Sequence, residues 1–278
     1  MKTHIVAAVL AFIANAAIAQ NGENSNLDRL TRSYEQAGWE AVGRVDIRGG
    51  GFCTGALIAP DLVLTAAHCL VDTRSGTPYD PSRLLFRAGY ADGNEVAFRR
   101  GAQSVVHPEY LDRTSSRSDT SNTDIGLIKL DSPIPTTIAS PFAIGEQSIG
   151  SQVSVVSYAR GRSEALSWQR SCAVVGKYRS QGVAAFTCDV TFGSSGAPVF
   201  DTSRNRPMIV SLISRGRNTA EGTIAFGPMI KEPIQELKEA LRTSHGVNLA
   251  GGGLASRIQV TKGAKFVTAG QGSRFVKP

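Results

Sequence analysis

The sequence predicts an all-β protein made of two six-stranded antiparallel β-barrels, followed by a C-terminal helix. Many short segments rich in apolar residues alternate with turn residues along the chain, which is typical of barrels and sandwiches. These segments form two groups of about six, separated by a segment that contains Pro133, Pro135 and Pro141. Only one segment has helical spacing. With 278 residues, 41% of them hydrophobic, the chain is long enough for a large core.

Residues 1–19 have the features of a secretory signal peptide. Lys2 provides a positive start, residues 5–18 are almost entirely apolar, and residues 17–19 form a small-x-small cleavage pattern. The apolar run is short for a membrane span. We therefore expect a secreted protein, extracellular or periplasmic, with no membrane span once the signal is removed. The polar residues 20–39 are predicted to be a flexible leader or a propeptide.

The first barrel is predicted over about residues 40–132. Its strands are apolar or alternate in polarity, and they end at glycine, proline or aspartate. We predict strands at 42–47, 52–58, 62–65, 84–88, 96–106 and 125–130. Residues 72–83 and 108–123 are rich in turn and polar residues and are predicted to be loops. Two scattered carboxylates in the first of these loops are too few to indicate a metal site, so we expect none.

The second barrel is predicted over about residues 150–230. Its strands are expected at 153–158, 168–178, 183–190, 197–201, 207–214 and 222–228. A helix is predicted at about residues 232–242, where Ile234, Leu237 and Leu241 share one face. Residues 244–278 form a glycine-rich basic tail, with short strands expected at 257–260 and 265–268. We expect this tail to pack on the surface.

Charge and cysteine content limit the classes of function. The net charge of +7 is modest and spread along the chain, and no nucleic-acid-binding motif accompanies it, so we expect no nucleic-acid partner. No motif indicates a cofactor, and we expect a monomer. The four cysteines lack the close spacing of a zinc site and are interpreted as structural disulfides, for which three pairings are open. They are Cys53, Cys69, Cys172 and Cys188.

Gly193-Ser194-Ser195-Gly196 holds a candidate nucleophile. Glycine allows tight backbone conformations and close approach of other chain segments. A serine reacts only when a base accepts its proton and donors stabilise the oxyanion. In isolation, this tetrapeptide is more typical of a polar turn. The assignment therefore depends on partners elsewhere in the chain.

His68 is the best candidate for the base. It follows an apolar strand and two small alanines, and it precedes a cysteine that can fix its position. His4 lies in the signal peptide, His245 lies after the helix, and His107 precedes a proline in a turn and is interpreted as structural.

Asp124 is the best candidate for the carboxylate that orients the base. It lies where a polar loop enters a buried strand, a position that is unfavourable for a charge unless it is paired. Asp119 and Asp131 are the alternatives, and both are interpreted as solvated.

Three blocks of residues, in this order, make the chain resemble the trypsin-like secreted serine proteases of the chymotrypsin fold, in particular the bacterial members. The blocks are Thr65-Ala66-Ala67-His68-Cys69, Asp124-Ile125-Gly126-Leu127 and Gly193-Ser194-Ser195-Gly196-Ala197-Pro198. The resemblance covers about residues 40–242 and includes neither the leader nor the tail.

The resemblance implies a serine endopeptidase that works through an acyl-enzyme. His68 would be the general base, Asp124 its orienting partner and Ser195 the nucleophile. The backbone N–H groups of Gly193 and Ser195 would form the oxyanion hole. The resemblance also implies disulfides between Cys53 and Cys69 and between Cys172 and Cys188.

The chain departs from the family at positions that affect activation and specificity. Many members have an aspartate where this chain has Ser194, and there is no Ile-Val-Gly-Gly start, so the usual activation by a cut N-terminus is not carried over. Asp189, six residues before the nucleophile, implies either selection of Arg or Lys or a structural role, as in bacterial relatives that lack this preference. Arg215 argues against selection of Arg or Lys, because it can neutralise Asp189 or attract acidic substrates. The pocket walls are predicted at 211–216, with Ser214 and Gly216 as substrate-binding residues, and at 222–225.

The alternative function is a non-catalytic binding protein that has a protease fold and uses its basic surface or its tail. The presence of all three residues of the predicted triad argues against this alternative.

Overall fold

The computed structural model describes residues 27–254 except 116–118, 147, 179–180, 221 and 252. The predicted signal peptide and the two predicted tail strands lie outside these residues. The strands are β1 Leu27–Leu30, β2 Val42–Ile47, β3 Phe52–Ala59, β4 Leu62–Thr65, β5 Val71–Asp72, β6 Thr77–Pro78, β7 Leu84–Ala88, β8 Ala97–Val106, β9 Gly126–Leu130, β10 Ala143–Ile144, β11 Gln152–Ala159, β12 Arg162–Tyr178, β13 Val183–Phe186, β14 Pro198–Asp201, β15 Met208–Leu212, β16 Arg215–Thr219, β17 Gly222–Pro228, β18 Asn248–Leu249 and β19 Gly253–Leu254. The helices are α1 Ser33–Gln36, α2 Pro108–Ser115 and α3 Lys231–Thr243, with 3-10 turns at Ala67–Cys69 and Pro81–Arg83.

Six strands close into the first barrel. The ladder order is β7-β2-β3-β4-β9, and β8 closes the ring by pairing with both β9 and β7. The predicted bounds of β2, β4 and β7 are confirmed. In β2, buried residues such as Val45 alternate with the partly exposed Arg44 and Asp46, so the strand has one apolar face in the barrel interior.

Strands β10 to β17 form a second, mainly antiparallel sheet with the order β10-β15-β14-β11-β12-β13-β17-β16. Strands β18 and β19 extend the first sheet beside β8, and β5 pairs with β6. Strand β12 begins six residues earlier than predicted and runs for 17 residues. It pairs with β11 as far as Ala173 and with β13 from Val174 onward. The predicted strand 183–190 ends at Phe186. One buried cluster fills the first barrel and reaches Phe200 of the second sheet, and a smaller cluster lies within the second sheet.

The C-terminal helix α3 extends the predicted helix at both ends. Ile234 and Leu237 are its buried residues and belong to the larger core cluster. The helix ends at Ser244, which has the left-handed φ of 58° typical of a C-terminal cap. No helix in the described part of the chain is long and apolar enough to cross a bilayer.

The structure corrects the prediction of a flexible leader for residues 27–39. Strand β1 pairs antiparallel with residues 166–169 of β12, and Leu30 is only 3% exposed. The leader also contacts the first barrel, because Arg29 forms a 2.7 Å ion pair with Asp92 in the turn after β7. This part of the leader is therefore an element of the fold.

The predicted loop 108–123 was wrong in its first half, where helix α2 forms. Pro108 suits the first turn of a helix, and Glu109 in that turn interacts favourably with the helix dipole. Tyr110, only 3% exposed, anchors the helix to the core. The predicted loop 72–83 contains the short β5–β6 hairpin and a 3-10 turn.

Candidate active site

His68 and Asp124 form a close pair at the edge of the first barrel. His68 lies in the 3-10 turn after β4, and Asp124 lies two residues before β9, the neighbour of β4 in the sheet. The Nδ1 atom of His68 is 2.7 Å from Oδ2 of Asp124. The backbone N–H of His68 donates to Oδ1 of the same carboxylate at 2.9 Å. The two bonds fix the imidazole against the carboxylate.

The carboxylate of Asp124 is buried and receives several hydrogen bonds. Its side chain is 3% exposed. Besides the two bonds from His68, Oδ2 accepts a 2.6 Å bond from the hydroxyl of Ser214. These donors offset the cost of burying the charge. The alternative Asp119 lies at the surface, bound to Arg215, and Asp131 is exposed.

Asp124 determines the direction in which the pKa of His68 shifts. Burial lowers the pKa of the imidazole, but the charge of Asp124 and its hydrogen bond raise it more. The pKa of His68 is therefore above its ordinary value of 6.5. About a quarter of the side chain is exposed, which leaves part of the ring accessible to solvent.

The loop that carries Ser195 can form only with glycine on both sides. Gly193 has a φ of 95° and Gly196 a φ of 75°, both in the left-handed region. A Cβ at Gly193 would overlap the ring of Phe52, and one at Gly196 would overlap Oγ1 of Thr65. The loop is thus pressed against the first barrel at the strand that leads to His68.

Thr54 of β3 holds the serine loop in place from the first barrel. Its backbone N–H donates to the carbonyl of Ser195 at 2.8 Å, and its hydroxyl donates to the carbonyl of Gly193 at 2.9 Å. Ser195 itself is half-buried. The peptide carbonyls on this loop point toward Thr54. The N–H groups of Gly193 and Ser195 have no hydrogen-bond acceptor within the described residues.

Ser194 is fully buried and faces away from the candidate site. Its hydroxyl lies 3.4 Å from the hydroxyl of Ser157 on β11, and its backbone N–H donates to the carbonyl of Thr191. The residue before the candidate nucleophile is therefore held by neutral hydrogen bonds.

Both expected disulfides are present, Cys53–Cys69 and Cys172–Cys188. The first joins β3 to the turn that carries His68, so it fixes the position of this turn relative to the barrel. The sulfurs of this disulfide lie near His68 in a group of potential metal ligands. Because metal binding needs thiolates, the disulfide removes these sulfurs as ligands.

The predicted specificity residues have distinct surroundings. Asp189 is half-buried, and its backbone N–H donates to the side chain of Gln169. Arg215 does not neutralise it, since its guanidinium binds Asp119 at 2.6 Å. Gly216 lies in β16, and a Cβ there would contact Val190 at 2.8 Å. Ser214, predicted to bind substrate, points its hydroxyl at Asp124 instead.

His107 has a structural environment. Its ring nitrogens lie 3.3 Å from the N–H of Glu109 and 3.9 Å from the carboxylate of Glu236 on α3.

Sequence reasoning did not identify the roles of Thr54 and Ser157. Both are small polar residues in barrel strands, and no local pattern shows that they contact a loop more than 30 residues away.

Comparisons with known proteins agree with the fold. The trypsin-like peptidase domain family matches residues 53–208. The chain is 32% identical over 161 residues to the glutamyl endopeptidase of Bacillus licheniformis, an alignment that covers 56% of this chain and 47% of the relative. It is 31% identical over 117 residues to the modular serine protease of Drosophila melanogaster, covering 40% of this chain and 18% of that protein. The chain thus spans about half or less of these curated relatives.

Solved structures share the same fold. The structure of Glu endopeptidase in complex with MPD has a TM-score of 0.65 at 22% identity and covers 79% of this chain and 98% of that chain. The thermostable serine protease AL20 from an extremophilic microorganism has a TM-score of 0.59 at 19% identity and covers 74% and 98% of the two chains.

Proposed function

The chain belongs to the trypsin-like peptidase family, and from this premise we propose that it is a secreted serine endopeptidase acting through an acyl-enzyme. One observation carries the proposal. The pair formed by the half-buried His68 and the buried Asp124 lies beside the glycine-constrained loop that carries the half-buried Ser195. The two disulfides support a location in an oxidising compartment. We also propose that the protein is a monomer and that it has no nucleic-acid partner.

In the proposed reaction, Ser195 Oγ attacks the carbonyl carbon of the scissile peptide bond, and its proton passes to Nε2 of His68. Asp124 keeps the other proton on Nδ1 and stabilises the imidazolium that forms. The N–H groups of Gly193 and Ser195 donate to the oxyanion. His68 then gives its proton to the leaving amine, and water releases the acyl group by the same steps in reverse.

The two-barrel architecture is part of the same proposal. The ends of the second sheet approach each other, since Ser211 donates to the carbonyl of Pro228 at 2.8 Å and Ser214 to that of Phe226 at 2.9 Å. These bonds support a second barrel. The cleft between the barrels would then have His68 on one side and Ser195 on the other.

For the residue before the scissile bond, two observations point to opposite charges. Asp189 supports recognition of Arg or Lys, whereas the similarity to a glutamyl endopeptidase supports an acidic residue. A peptide-library cleavage profile of the wild type and of Asp189→Ser separates them. Loss of cleavage after Arg and Lys in the variant would identify Asp189 as the selector.

Labelling with a fluorophosphonate tests the proposed nucleophile. We expect one covalent adduct, which peptide mapping places on Ser195 and not on the adjacent Ser194. The variant Ser195→Ala should neither label nor cleave, although it should unfold at the same temperature as the wild type. A folded mature protein that does not label between neutral and alkaline pH would refute the proposal.

If binding survives in Ser195→Ala but is lost when the chain is cut at residue 244, the binding-protein alternative is favoured.

The direction of the His68 pKa shift predicts the pH dependence of cleavage. Because a general base acts only when unprotonated, kcat/KM should rise with pH and reach half its plateau above 6.5. Protonation of His68 below this pKa should abolish activity. The profile is measured with a neutral peptide substrate, and Asp131→Asn, at an exposed carboxylate, is the control that should leave the midpoint unchanged. A midpoint well below 6.5 would contradict the geometry of the pair.

A further inference from the structure

Two arginines share one face of strand β16, directly beside the candidate active site. Strand β16 begins immediately after Ser214, whose hydroxyl binds Asp124. Arg215 and Arg217 both place their guanidinium groups over the ring of Phe226, at 5.2 and 5.7 Å from its centroid. Stacking on one ring limits the motion of both cations while their N–H edges stay free to bind.

The opposite face of β16 has a different chemistry. Gly216 faces Val190, since an added Cβ would lie 2.8 Å from its side chain. Val190 belongs to the segment that leads to the serine loop, so this face lines the pocket side of the strand. Side chains alternate between the two faces of a strand. The face of β16 with Gly216 and Asn218 is therefore uncharged, and the other face carries both arginines.

Strand β16 is positioned to accept a peptide. It ends the second sheet, with β17 as its partner on one side in the described part of the chain. A free strand edge can bind an extended peptide through backbone hydrogen bonds, and the side chains of that peptide then alternate between the two faces. If the proposed function holds, the residue before the scissile bond points to the Gly216 face. The second and fourth residues before that bond then point to the arginines.

The charges on this face favour a carboxylate. Arg215 already binds the carboxylate of Asp119 at 2.6 Å, which shows that this group fits against the arginine face. Arg217 has no carboxylate partner within the described ranges. Arg215, Arg217 and Asp119 together carry one uncompensated positive charge, which lies on Arg217.

We propose that Arg217, with Arg215 held in place by Asp119, selects peptides with Asp or Glu at the second and fourth positions before the scissile bond. This inference rests on the proposed function. The subsites for the second and fourth residues are separate from the pocket for the residue next to the scissile bond. The inference therefore applies whichever residue that pocket prefers.

The test compares peptides that differ only by Glu or Gln at the second, third or fourth position, each with the best residue of the cleavage profile next to the scissile bond. The wild type should cleave the Glu peptides about fivefold faster in kcat/KM at the second or fourth position, as expected for one exposed charge pair. At the third position the ratio should stay near one. Arg217→Gln should reduce the preference to about one. The matched control Arg242→Gln, on α3, removes the same charge elsewhere and should keep the preference.

Binding of the same peptides to Ser195→Ala, followed by fluorescence anisotropy, provides an arm that needs no cleavage. A Glu preference in binding that Arg217→Gln abolishes supports the subsite even if the wild type cleaves nothing, in which case only the proposed function fails. An equal response to Glu and Gln in wild type, a preference confined to the third position, or one that persists in Arg217→Gln would overturn the inference. So would a loss of thermal stability in Arg217→Gln with an unchanged Glu preference, which indicates that stacking on Phe226 is the only role of Arg217.

Discussion

Replacing Asp124 with Asn is expected to lower kcat by about 10⁴-fold at neutral pH. The carboxylate accepts from Nδ1 of His68, from the backbone N–H of His68 and from Ser214. An amide has only one oxygen, and the backbone N–H of His68, which can only donate, requires that oxygen at the position of Oδ1. The NH₂ group of the amide would then face Nδ1 and force the ring proton onto Nε2. In that tautomer His68 cannot accept the proton of Ser195.

Active-site titration and steady-state kinetics measure this loss, and thermal unfolding shows whether the variant is folded. The control is Asp131→Asn, which removes an exposed carboxylate and should change kcat by no more than about twofold. A folded Asp124→Asn variant that retains more than a tenth of the wild-type kcat would contradict the assignment of Asp124.

Replacing Trp39 with Ala is expected to lower the free energy of unfolding by about 3–5 kcal/mol. Trp39 is 6% exposed and touches three aromatic rings from different parts of the chain. The ring centroids lie 4.9 Å from Phe200 in β14, 5.1 Å from Trp168 in β12 and 6.0 Å from Phe142. Truncation leaves a cavity among side chains that strands fix in position, so the surroundings can collapse only partly.

Urea unfolding followed by circular dichroism measures this effect. Tyr34→Ala is the matched control, because Tyr34 is an aromatic residue of the same leader but is 68% exposed, and its loss should cost less than about 0.5 kcal/mol. Equal effects of the two substitutions would show that Trp39 does not connect the leader to the core.

Local patterns in the sequence predicted much of the first barrel. Strands β2, β4 and β7 have the predicted bounds because apolar alternation and turn residues mark both of their ends. His68 and Asp124 were identified by their position at the ends of such strands. The pairing of the four cysteines followed from the resemblance and not from their spacing, and the structure contains both bridges.

Features that depend on distant partners were not predicted. Strand β1 has only two apolar residues in a polar segment, and its stability comes from an edge of β12 more than 130 residues away. Helix α2 was missed because polar residues dominate it and only Tyr110 and Leu111 of its described side chains pack on the core. The contact of Thr54 with the serine loop likewise depends on how two sheets meet, which no local pattern encodes.

The hydroxyl contact between Ser157 and Ser194 is one of the contacts that hold the loop carrying Ser195. A loop that is held by an ion pair with a new chain terminus adopts its active conformation only after the chain has been cleaved. Here the anchors are an uncharged pair and the hydroxyl of Thr54, all of which exist as soon as the two sheets meet. Neither of these anchors carries a charge, and neither involves a chain terminus. The position of the loop that carries Ser195 therefore depends on how the two sheets pack against each other.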